Sequence, residues 1–65
     1  MKLQYDRDAD ALVIVLREAA IIESDEVGPG LIADFGSNGE IVRLEILDAS
    51  RKVDDLEHVD LASGR

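Results

Sequence analysis

The chain has no cysteine and no tryptophan, so neither a disulfide nor a thiolate-held metal can staple it. Its single histidine, His58, rules out a multi-histidine metal centre within one copy. The only aromatic residues are Tyr5 and Phe35, too few rings for a base-stacking platform. Basic residues are also scarce: seven against fifteen acidic ones leave a net charge of −8. They form no stripe that could track a phosphate backbone, so nucleic-acid binding is not expected. The longest uninterrupted apolar run, Ala11 to Leu16, is far shorter than the roughly 20 residues that span a bilayer. Met1-Lys2 leads into a charged segment and not a signal-peptide core. A cytoplasmic protein with no membrane association is the expectation.

What is present fits one small domain. Sixty-five residues allow a folded surface of roughly 4,000 Å² against about 10,000 Å² unfolded, which leaves a lone monomer marginal. With no disulfide or metal to help, self-association is the remaining source of stability. Residues 1–60 are read as a single compact domain and 61–65 as a frayed tail.

The stretch from Gly30 to Ser50 organises the chain. Leu31, Ala33 and Phe35 recur with period two, and Val42, Leu44 and Ile46 do the same, as strands with one buried face require. Arg43 and Glu45 point the other way. Gly36-Ser37-Asn38-Gly39 between the runs offers the positive-φ residues of a tight reversal. A phosphate-cradling loop would open a helix, whereas this one opens a second strand. Upstream, residues 2–6 place Leu3 and Tyr5 on one face, and residues 11–17 are rich in β-branched side chains and apolar on both faces. Residues 21–27 read as a weaker, acid-rich edge strand, and Gly28-Pro29-Gly30 breaks the chain after it. A short helix near 50–58, capped by Asp48 or Ser50, would present Val53 and Leu56 on one face. The fold class is therefore α+β: a small antiparallel sheet of three to five short strands with one C-terminal α-helix packed on one face.

Several segments together resemble a known family. Lys2-Leu3-Gln4-Tyr5-Asp6, Ala9-Asp10-Ala11-Leu12, Glu23-Ser24, Pro29-Gly30, Asp34 and Glu45-Ile46-Leu47-Asp48-Ala49-Ser50 look like a family of small bacterial domains of unknown function, the one numbered 2283. The resemblance covers about residues 1–52. It implies a compact α+β domain and an antitoxin-like role beside small toxin-like proteins, and it brings no catalytic residues.

Three constellations bear on chemistry. Asp6, Asp8 and Asp10 form the D-x-D-x-D opening of a calcium loop, but Ala11 stands where the loop needs glycine and Arg17 where it needs the bidentate glutamate. Weak metal binding at most is expected, with local backbone amides as the aspartates' partners. Asp48, Ser50 and His58 can be written as a nucleophilic triad, yet no strand-turn-helix elbow surrounds Ser50. Glu23, Asp25 and Glu26 lie on an edge strand and not in a cleft. No cofactor is implied.

The second strand adds a different expectation. Leu12, Ile14 and Leu16 would meet the hairpin and the helix, leaving Ala11, Val13 and Val15 without a second layer, extended by Ile32 and Ile41. A second copy is the economical cover, which makes a homodimer the expected assembly. The functional expectation is a non-enzymatic, self-associating protein-binding module. The alternatives are an antitoxin-like neutraliser of a small basic toxin, which would be a basic protein partner, and a weak metal-binding or hydrolytic protein.

Overall fold

The computed structural model describes residues 1–54 and 56. Its elements are β1 (Lys2–Asp6), β2 (Ala11–Val15), β3 (Glu23–Gly28), β4 (Leu31–Phe35), β5 (Ile41–Leu47) and α1 (Ala49–Lys52). All strand pairs are antiparallel and the sheet order is β1-β2-β5-β4-β3. The α+β expectation and the period-two reading both hold. β3 is a regular strand with one bulge between Glu26 and Gly28.

Some boundaries move for identifiable reasons. β2 stops at Val15 because the amides of Leu16 and Arg17 both turn to the Val42 carbonyl, at 2.8 and 3.4 Å. Leu16, expected inside, is therefore 40% exposed. Residues 16–22 then pass the ends of β5 and β4, and the Ile22 amide docks on the Phe35 carbonyl at 2.8 Å. That passage carries β3 to the far edge of the sheet.

The two glycines of the β4–β5 turn do different work. The Gly39 amide bonds the Gly36 carbonyl at 3.0 Å, and Gly39 alone has positive φ, +79°. Gly36 instead sits in a crowded position, where a Cβ would stand 2.9 Å from Glu40 Oε2 and 3.1 Å from Val42 Cγ2, so both neighbours would have to shift. Asn38, expected to share the left-handed role, does not adopt it.

Directly paired residues of antiparallel strands point to the same side, so the registers define two faces. One is apolar: Leu3 and Tyr5 of β1 lie opposite Ile14 and Leu12, which lie opposite Leu44 and Ile46, and these face Ala33 and Leu31. Leu12, Ala33 and Val42 are buried, and the other named members are half-buried. The second face is mixed. It sets Val13 beside Glu45 and Ile32, and Val15 beside Arg43, Asp34 and Ser24.

The helix departs most from expectation. It begins at Ala49 and ends at Lys52, with Val53 extended at φ −125°, ψ 132°, so the expected helical face of Val53 and Leu56 is broken at its first member. Asp48 precedes it in the left-handed conformation, φ 53°, and makes no side-chain cap bond. Ser50 lies inside the helix, and neither expected residue caps it. Leu56 is again helical and half-buried, whereas residue 55, residue 57, His58 and the 61–65 tail fall outside the described residues.

Candidate functional site: two anchored carboxylates

The polar side chains that the fold brings together belong to Asp34 and Asp10. Asp34 projects from the middle of β4 onto the mixed face and is only 2% exposed. A carboxylate so enclosed must be hydrogen-bonded to stay ionised. Ser24 Oγ on β3 donates to its Oδ1 at 2.5 Å, and Arg43 Nε on β5 donates to its Oδ2 at 2.7 Å. The Ser24 hydroxyl, with Arg43 contributing less, holds the Asp34 carboxyl below its ordinary 3.8 against the opposing effect of burial. One side chain thus ties three adjacent strands.

Asp10 sits at the entrance of β2 with φ 52°, a left-handed conformation that aspartate tolerates better than most residues. Tyr5 Oη donates to its Oδ1 at 2.5 Å. From forty residues downstream, the Ser50 amide donates to Oδ1 at 3.0 Å and the Ser50 hydroxyl to Oδ2 at 2.8 Å. The Ala49 amide bonds the Asp10 carbonyl at 2.9 Å. The first-turn amides of α1, left open by Asp48, are therefore satisfied by a remote residue instead of a local cap. Hydrogen bonds from Tyr5 and then Ser50 lower the Asp10 pKa from its ordinary value. At the other end of the helix, Lys52 Nζ reaches the Pro29 carbonyl at 3.1 Å.

This geometry disperses the D-x-D-x-D motif. Asp6 Oδ1 accepts the amides of Asp8 and Ala9 at 3.0 and 3.3 Å, and Asp10 is committed to Tyr5 and Ser50. Among the described residues no three metal-ligating side chains gather. The Ser50–Asp48 part of the paper triad does not form either, because the Ser50 hydroxyl is directed to Asp10. In both serine–carboxylate pairs the carboxylate has lowered basicity, which suits a fixed hydrogen-bond acceptor and not a general base.

The residues expected at an interface are placed unequally. Ala11, Val13, Val15 and Ile32 share the mixed face; Ala11 is already buried, while the other three are half-buried. Ile41 pairs with Phe35 beyond the β4 bulge and is 39% exposed. The Ser24–Asp34–Arg43 cluster was not anticipated from sequence. No symmetry about the turn signals it: Phe35 pairs with Ile41, which alone would set Asp34 opposite Val42, and the bulge between Asp34 and Phe35 is what brings Asp34 opposite Arg43.

The family follows from the same segments. The sequence profile described as "Protein of unknown function (DUF2283)" matches residues 2–50, and the chain belongs to that family. The match takes in all five strands and ends at Ser50, the residue that Asp10 holds. No curated protein and no solved structure matches the chain. No helix among the described residues is long and apolar enough to cross a membrane.

Proposed function

We propose that the chain is a non-enzymatic, self-associating protein-binding module that works as a homodimer closed on the mixed face of its sheet. The supporting observation is the size of the core. Among the described residues the buried apolar side chains are Ala11, Leu12, Ala33, Val42 and Ala49, three of which are alanines with little area to bury. A fold so thinly covered gains by adding a layer. The reading keeps the expectation from the sequence that the segment after β5 covers the apolar face, which leaves the mixed face for the second copy.

On that face Val13, Val15 and Ile32 carry the contact, each adding up to about 1.5–3 kcal/mol on full burial. Two-fold symmetry doubles the sum against an association cost of about 4–15 kcal/mol. Wild type should sediment as a dimer at micromolar concentration, and Val13→Asp should sediment as a monomer of lower stability. A wild type that stays monomeric at high concentration overturns the homodimer. The antitoxin-like reading rests on family resemblance and the −8 charge. Recovery of a small basic protein in fixed stoichiometry from the native host would favour it.

A further inference from the structure

Among the described residues the sheet has two edge strands with no further strand beside them, β1 and β3, and they differ in charge. β1 carries one cation and one anion, Lys2 and Asp6, whereas β3 carries Glu23, Asp25 and Glu26 with no basic residue. All of β3 except Gly28 is exposed. Two apolar residues accompany these acids: Ile22, just before the strand, is 66% exposed, and Val27 within it is 53% exposed. Beside the strand lies a groove of about 370 Å³, with Ile22 and Phe35 as its apolar wall and Glu23 and Asp25 as its acidic one.

An edge strand offers outward-facing amides and carbonyls to any extended chain that can approach. The β3 edge of a second copy cannot do so cheaply, because six carboxylates would meet along one ladder and like charges directly opposite are destabilising. The β1 edge of another copy would bring only Lys2 against three acids. We propose that the β3 edge is a docking strand for an extended segment of another protein in which basic and apolar residues alternate. The added strand extends the sheet by main-chain hydrogen bonds. Its lysines or arginines pair with Glu23 and Asp25, and an apolar side chain packs against Ile22. This deepens the protein-binding half of the function proposed above. It uses a surface separate from the dimer face, so a monomeric wild type leaves it standing.

The test uses the full chain and two end-capped octapeptides of equal charge, one alternating lysine and valine, the other lysine and proline. Proline removes donors and disfavours strand pairing. The lysine–valine peptide should bind at least about tenfold more tightly, the worth of one or two net hydrogen bonds, and should slow amide exchange within Glu23–Gly28. Glu23→Lys with Asp25→Lys should abolish that binding while leaving the circular dichroism spectrum unchanged. Equal affinity for both peptides would reduce the effect to general attraction toward an acidic protein and overturn the proposal, as would protection on β1 or no binding at all.

Discussion

Asp34 and Asp10 solve the same problem at opposite depths of the molecule. Each is an aspartate held by a serine hydroxyl and a second donor, and each has its pKa lowered by those bonds. Asp34 is buried in the sheet and joins strands β3, β4 and β5; Asp10 sits at a more accessible turn and joins β1, β2 and the helix. The difference teaches where cooperativity resides. Losing the buried anchor takes a shared acceptor from two neighbouring strands and empties an enclosed position, while losing the accessible one releases groups that solvent can satisfy.

Removing the buried anchor should have the largest effect. Asp34→Ala strips Ser24 and Arg43 of their shared acceptor and should cost about 1–3 kcal/mol in denaturant unfolding. For a domain of this size each kcal/mol corresponds to about 4–8 °C of melting temperature. The upper end of the buried-pair range is not expected, because Arg43 is partly exposed and can turn to water. A loss no greater than that of Asp10→Ala would break the comparison.

Acid titration comes next. Both carboxyls have folded pKa values below the unfolded value, so each contributes stability that is complete above about pH 4 and is lost as pH falls through the folded pKa. Wild type should therefore lose melting temperature below about pH 4 while changing little between neutral pH and about pH 5. The wild-type advantage over Asp34→Asn should shrink across the acid range, since the variant has no charge there to lose. Asp10→Asn should show the same trend with smaller amplitude. If the Asp34→Asn difference is independent of pH, ionisation of Asp34 is not what stabilises the sheet.

The smallest effect should come from Ser50→Ala. The variant keeps the Ser50 amide and Tyr5 on Asp10, so global stability should move by no more than about 0.5 kcal/mol, as for most exposed substitutions. Faster amide exchange at Ala49 and Ser50, with β4 and β5 unchanged, would place the effect at the helix alone. Slower or equal exchange there would mean that the hydroxyl plays no part in seating the helix.

What the sequence by itself determined was the alternation. Leu31, Ala33 and Phe35, then Val42, Leu44 and Ile46, specify strands of one sidedness because side-chain direction has period two within any extended chain, whatever lies beside it. The same reasoning found β1, β2 and the acid-rich edge, and the turn between β4 and β5. Only the tertiary structure decided the neighbours. Pairing β2 with β5 brings together segments thirty residues apart in sequence, and no local periodicity encodes that register. From it follow the placement of Asp10 beside Ser50, forty positions later, the displacement of the helix cap from Asp48 to Asp10, and the exposure of Leu16 where the chain leaves the ladder. Asp34 shows both halves at once. Its place in a strand is implied by the alternation, but its position opposite Arg43 depends on the bulge between Asp34 and Phe35, and its third partner, Ser24, and its burial depend on β3 returning to the sheet edge after residues 16–22 have passed the ends of β5 and β4.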